Sequence, residues 1–147
     1  MSKLQDVIDF FLAMRHDNNK DITDAISPMK LQKLLYYAQG FSLALYDKAL
    51  FQEDFEAWDY GPVIPCVYQQ YKQYGNGAIP KIDLESFDNY TQVEKNLLDD
   101  VYTAFGQYSA WALNEMSHNT MPWKSTNRNE IISKNKMKDY FLTQIEK

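Results

Sequence analysis

Ser27-Pro28-Met29-Lys30-Leu31-Gln32-Lys33-Leu34-Leu35-Tyr36-Tyr37-Ala38-Gln39-Gly40-Phe41-Ser42-Leu43-Ala44-Leu45-Tyr46 is the stretch from which the fold can be read. Ser27 followed by Pro28 is a helix start: a hydroxyl able to cap free backbone N–H groups, then a ring whose φ suits the first turn. Leu31, Leu34, Leu35, Ala38, Phe41, Ser42 and Leu45 recur at helical spacing. Tyr37, Gly40 and Ala44 continue a second face below Lys30 and Lys33. A helix apolar around most of its circumference is normally buried among neighbours. Gly40 costs about 1 kcal/mol in a helix interior relative to Ala, so a closely approaching neighbour is expected there. The segment is therefore predicted to be the central helix of the fold.

Working outward, Ser2-Lys3-Leu4-Gln5 fits a capping box, and Leu4, Val7, Ile8, Phe11 and Met14 give the next helix an amphipathic stripe. A polar loop follows from His16 to Asp21, and residues 22–26 suggest one short turn. Beyond Tyr46, Phe51, Phe55 and Ala57 alternate as in a short strand, with the run from Glu53 to Glu56 too acidic for a central one. Gly61-Pro62 predicts a turn, and Pro65 opens a helix through Val67, Tyr68, Tyr71 and Tyr74 that Gly75-Asn76-Gly77 stops. Residues 78–90 read as an irregular excursion anchored by Ile79, Ile82, Leu84 and Phe87. Thr91-Gln92-Val93-Glu94 is a second capping box, and Ser109 caps a further helix. Ser117 to Trp123 reads as a loop holding a large aromatic. Ile131-Ile132 suggests a strand pairing with the Phe55 region, and the last helix buries Met137, Tyr140, Phe141 and Ile145. The expected architecture is mainly α, one compact domain over residues 1–147 around a buried helix, with one small β-strand pair.

Bulk properties narrow the function classes. With 147 residues the chain is long enough to bury a substantial core. Its 11 Tyr, 8 Phe and 3 Trp are an unusual aromatic load, suited to cores near water and to interfaces. A net charge of −5 gives no basic footprint, so nucleic acid is not expected as the main partner. Cys66 is the sole cysteine, which excludes an intrachain disulfide and a cysteine-based metal cluster. With no signal-peptide pattern and no apolar run of membrane-spanning length, a cytoplasmic protein that does not span a membrane is expected.

No constellation of side chains assembles an active site. His16 and His118 lie far apart and lack further ligands at metal spacing, so no metal or cofactor is expected. His118 reads most simply as a loop histidine bonding backbone and fixing a turn, ahead of partner contact or catalysis. Cys66 stands at a helix start, where the helix dipole would lower its pKa, but without a partner base it reads as a small buried side chain. The acidic runs read as solvated faces. Lys30 and Lys33 read as a solvated edge of the central helix, with a binding role as the alternative. Tyr68, Tyr71 and Tyr74 follow core spacing, yet a buried core seldom needs so many hydroxyls, and some are expected at an exposed binding surface.

Three stretches together resemble a known family. They are Lys30 to Gly40; Phe55-Glu56-Ala57-Trp58-Asp59-Tyr60-Gly61-Pro62-Val63-Ile64-Pro65 with Val67-Tyr68; and Leu113 with Ser117-His118 and Pro122-Trp123. In this order and spacing they are similar to the Panacea domain, the SocA-like antitoxin family, also known as GepA-like phage-associated proteins. The resemblance implies a mainly helical fold, no enzymatic activity, and a partner that is a toxin protein encoded nearby. Extra segments often accompany the domain, and none is evident here, so the domain itself is expected to hold the partner. Lys30, Leu34, Tyr37, Trp58, Tyr60, Gly61, Pro62, His118, Pro122 and Trp123 carry the family pattern. Of these and their neighbours, Lys30, Lys33, Tyr37, Trp58, Tyr60 and His118 are candidates for partner contact. Leu34, Gly40, Gly61, Pro62, Pro122 and Trp123 are candidates for shaping the scaffold. An interface of this kind buries on the order of 1,600 Å² around Tyr and Trp anchors. The alternative is a phage- or mobile-element-associated adaptor that binds a host protein.

Overall fold

The computed structural model describes residues 3–14 and 26–145. Ser2, His16, the polar loop through Asp21 and most of the predicted turn at residues 22–26 lie outside the described residues. Helix α1 spans Lys3–Met14 and α2 spans Pro28–Tyr46. The Ser27 hydroxyl accepts from the Lys30 backbone N–H at 3.2 Å, and Pro28 occupies the first turn. The helix closes at Asp47, whose left-handed φ of 54° breaks the ladder.

Helix α2 is the core, as its pattern predicts. Every residue from Lys30 to Gly40 is buried. It packs most extensively on α7 (Lys134–Ile145), then on α5 (Ala110–His118) and α4 (Gln92–Phe105). The neighbour expected at Gly40 is the Phe141 ring of α7, 2.2 Å from where a Cβ would stand. Aromatic edges fill the space between the layers. Tyr36 meets Phe55 and Phe141, each with centroids 5.5 Å apart, while Tyr37 stacks on Phe105 at 4.1 Å. The buried Tyr36 hydroxyl is satisfied by Thr120 Oγ1 at 2.7 Å.

The sheet is larger than the sequence suggested. Strand β1 (Phe55–Trp58) pairs antiparallel with both β2 (Gly61–Val63) and β3 (Ile131–Ile132), giving three strands in the order β2-β1-β3. The pairing of Phe55 with Ile132 agrees with the predicted strand contact. The acidic strand is nevertheless the central one. Only Phe55 and Ala57 of β1 face the core, and Glu56 points outward, where its carboxylate accepts the Trp58 indole N–H at 2.9 Å. A small antiparallel sheet with one wet face tolerates such charge. Gly61 and Pro62 also differ from expectation. The turn is Asp59-Tyr60, and Gly61 and Pro62 belong to β2. Gly61 supplies a φ of +97° as the chain re-enters the sheet. Pro62 sits on an edge strand, where its missing N–H is tolerated.

Between α3 (Pro65–Tyr71) and α4 the chain runs irregularly. Ile79 is buried there, whereas Phe87 is exposed and meets Phe10 edge-on. The capping box at Thr91 and Glu94 is complete, and Ser109 caps α5 as predicted. The predicted loop from Ser117 to Trp123 is largely helical. Helix α5 continues through His118, and Pro122 starts the single turn α6 (Met121–Lys124) in the position where proline favours a helix. Among the described residues, no helix is long and apolar enough to cross a membrane.

Candidate functional site: a braced aromatic hairpin beside a cleft

Side chains of α2, α5 and α6 hold the β1–β2 hairpin and the residue after it through six hydrogen bonds. The Trp58 carbonyl accepts from Trp123 Nε1 at 2.8 Å, and the Asp59 carbonyl accepts from His118 Nε2 at 2.9 Å. Lys33 Nζ donates to the Tyr60 carbonyl at 2.6 Å and to the Pro62 carbonyl at 3.2 Å. One residue beyond β2, the Gln32 amide both donates to the Ile64 carbonyl at 3.1 Å and accepts its N–H at 2.9 Å. Four of the five carbonyls from Trp58 to Pro62 thus bond to side chains from α2, α5 and α6. Gly61 is needed for closeness as well as φ, since a Cβ there would lie 3.0 Å from both Lys33 Nζ and Ser117 Oγ. The bracing groups are themselves supported: the Trp123 ring lies 4.3 Å from the His118 ring and carries the Arg128 guanidinium 3.9 Å over its face.

The two helix lysines were read as a solvated edge; both are buried, Lys30 at 1% exposure and Lys33 at 0%. Their charges are met by backbone carbonyls, Lys30 Nζ donating to the Gly106 carbonyl at 2.6 Å. No carboxylate among the described residues lies within ion-pairing distance of Lys33. Burial therefore pulls the Lys33 ammonium down to a pKa of about 7. The signal was present in the sequence, because both lysines fall within the all-round apolar pattern of α2. A polar residue in such a helix has to be satisfied by a neighbour.

In front of the brace is a cleft of about 340 Å³ between the start of α2, the hairpin and α3. Lys33, Trp58 and Tyr60 line it, joined by Met29, Tyr68 and Lys72, which the candidate set did not include. Tyr60 is 65% exposed and Tyr68 42%, and the Trp58 and Tyr68 rings meet edge-on at 5.3 Å. The other candidates are placed elsewhere. Lys30 and Tyr37 are interior, on the side of α2 that faces Gly106 and Phe105, and burial raises the Tyr37 phenol well above the usual range. His118 stands behind the hairpin turn and holds its backbone. Leu34 is in the core, and Pro122 is buried at the start of α6. Trp111, unremarked in the sequence, is 69% exposed on α5 and is not among the residues lining the cleft.

Cys66 corrects a further expectation. It is exposed, and partial desolvation with the nearby Glu53 carboxylate pushes its thiol up, against the lowering expected from the helix start. Of the tyrosine run, only Tyr71 is buried. Among the described residues, no three His, Cys, Asp or Glu side chains gather where they could hold a metal ion.

Fold and site together define a mainly helical protein that presents a rigidly braced aromatic hairpin at its surface. The family described as "Antitoxin SocA-like, Panacea domain" matches residues 31–124, a span containing the hairpin together with Gln32, Lys33, His118 and Trp123. The chain belongs to that family. It is similar to Antitoxin SocA of Caulobacter vibrioides (strain NA1000 / CB15N), with 34% identity over 109 residues, covering 67% of this chain and 58% of that protein. The chain thus spans less than two thirds of that relative's length. No solved structure matches it.

Proposed function

We propose that this protein is a cytoplasmic antitoxin that neutralises a toxin protein encoded beside its own gene by direct contact, without catalysing a reaction. The observation that carries the reading is the braced hairpin. Trp58 and Tyr60 are large amphipathic side chains on a backbone fixed by side-chain donors from three helices, and anchors of that kind bind without a heavy ordering cost. Family membership supplies the kind of partner, and the exposed Tyr60 and Tyr68 supply surface for it to cover. Lys33 and His118 act in this reading as positioning residues for the hairpin, and Trp58 and Tyr60 as contacts. Co-expression tests it. The neighbouring gene product is expected to arrest growth alone, to be relieved by this protein, and to co-purify with it. Arrest that persists alongside folded, abundant antitoxin refutes the proposal.

A further inference from the structure

The cleft is positive in a chain that is acidic as a whole. The protein has a net charge of −5, yet the cleft is lined by two lysines, Lys33 and Lys72, and by no Asp or Glu. Glu56, whose carboxylate takes the Trp58 indole N–H, is not part of the lining. The remaining walls include the rings of Trp58, Tyr60 and Tyr68 and the Met29 side chain. Two of these rings are open to solvent in the free chain. Lys33 has two of its three N–H groups on carbonyls and no counter-ion, while Lys72 is exposed. Burial holds the Lys33 pKa at about 7 in the free chain, and an anion covering it favours the charged form. The walls are also pre-set, because Gln32 clasps Ile64 and Lys33 clasps the hairpin.

We infer that the cleft receives an acidic residue adjoining an aromatic one on the partner protein, the carboxylate lying toward Lys33 and Lys72 and the ring against Trp58, Tyr60 and Tyr68. The inference deepens the proposed antitoxin reading and rests on it for the partner being a protein. A lone apolar side chain would satisfy the rings but leave Lys33 without an anion and remove Lys72 from water. A cationic segment would be repelled. A nucleobase on a phosphate chain has the same gross complementarity, but it would have to approach an acidic protein, so a peptide is favoured.

The test uses the whole chain and two blocked dipeptides, acetyl-Asp-Phe-amide and acetyl-Asn-Phe-amide, which differ only in charge. Binding is followed by NMR at the Trp58 indole N–H and at isotope-labelled lysine ammonium-bearing carbons. The Asp peptide is expected to bind about tenfold tighter than the Asn peptide, the size of one charge-assisted contact. Its binding should also raise the Lys33 pKa. Lys72→Ala, at an exposed position that leaves the fold intact, and Lys33→Met should each bring the two peptides within about threefold of one another. Tyr68→Ala should weaken both alike. Equal affinities, no response at Trp58 to either peptide, or tighter binding of tetrathymidylate than of the Asp peptide would overturn the inference. If that happens while the neighbouring gene product is still captured and neutralised, the cleft assignment fails and the antitoxin reading stands. If capture also fails, both fall.

Discussion

Burial of Lys33 makes the stability of the fold depend on pH. Its ammonium is fully buried and titrates near pH 7, against 10.5 for an ordinary lysine. The folded-state pKa lies below the unfolded one, so between these values the unfolded chain binds more protons than the folded chain. Stability must therefore rise with pH across that interval. The slope for one proton is roughly 1 kcal/mol per pH unit, and the whole interval corresponds to no more than about 5 kcal/mol. For a domain of this size that is a rise in Tm of about 3 °C per pH unit between pH 7.5 and 9.5. Cys66 titrates nearby with the opposite sign, since its pKa is raised on folding, so the comparison belongs in a Cys66→Ser background. Above pH 10 the buried Tyr36 and Tyr37, and Tyr90 at about 12, reverse the trend: their pKa values are raised, and the unfolded state deprotonates first. Denaturant unfolding at half-unit pH steps, on this chain and on Lys33→Met, reads the effect. Lys33→Met is expected to lose the rise between pH 7.5 and 9.5. At pH 9 it should be less stable by about 1–3 kcal/mol, because the Tyr60 and Pro62 carbonyls lose their donor. A flat profile in the parent, or a rise that survives in Lys33→Met, would refute the account of Lys33 as a buried cation without a counter-ion.

Other perturbations probe the remaining joints. Gly40→Ala drives a methyl into the Phe141 ring and should cost about 1–3 kcal/mol by chemical denaturation, with part recovered in Gly40→Ala/Phe141→Leu. Thr91→Ala removes a complete capping box and should cost about 1 kcal/mol, seen as a lower denaturation midpoint with an unchanged m-value. Trp123→Phe keeps a ring under Arg128 but removes the donor to the Trp58 carbonyl; a loss near 1 kcal/mol and a shifted Trp58 indole resonance are expected. Tyr60→Ala acts at an exposed side chain, so Tm should hold to within about 2 °C while capture of the neighbouring gene product in a pull-down drops at least tenfold.

Much of the fold was legible because local signals and burial agree. Ser27-Pro28, the Thr91 capping box and Ser109 are short-range chemistry, and each starts its helix where the residues say it should. Gly40 advertised a close contact but not its partner, since only tertiary packing selects Phe141. The differences have two causes. Gly-Pro and Met-Pro pairs suggest a turn or loop, whereas Gly61-Pro62 lies inside a strand and Pro122 stands in the first turn of a helix. Charge in a sequence suggests exposure. Lys30 and Lys33 are buried, and the acidic strand is central, because distant carbonyls and a solvent-facing side of the sheet accommodate those charges. The cleft was half visible. Trp58, Tyr60 and Lys33 could be named from the sequence, but Met29, Tyr68 and Lys72 join them only through the packing of α3 against α2.

The brace joins residues that stand far apart in the sequence. Lys33, His118 and Trp123 come from three helices, and each donates to a successive part of the same backbone turn. A two-residue hairpin on a three-stranded sheet has few ladder bonds of its own and would fray in isolation. Side-chain donors replace the missing strands and leave the Tyr60 side chain exposed. A lysine is a costly donor in that position, since its desolvation offsets much of what its hydrogen bonds contribute. A neutral donor would hold the same carbonyls at less cost to stability. What a lysine adds is a positive charge beneath the cleft, and that charge is expressed only when an anion covers it.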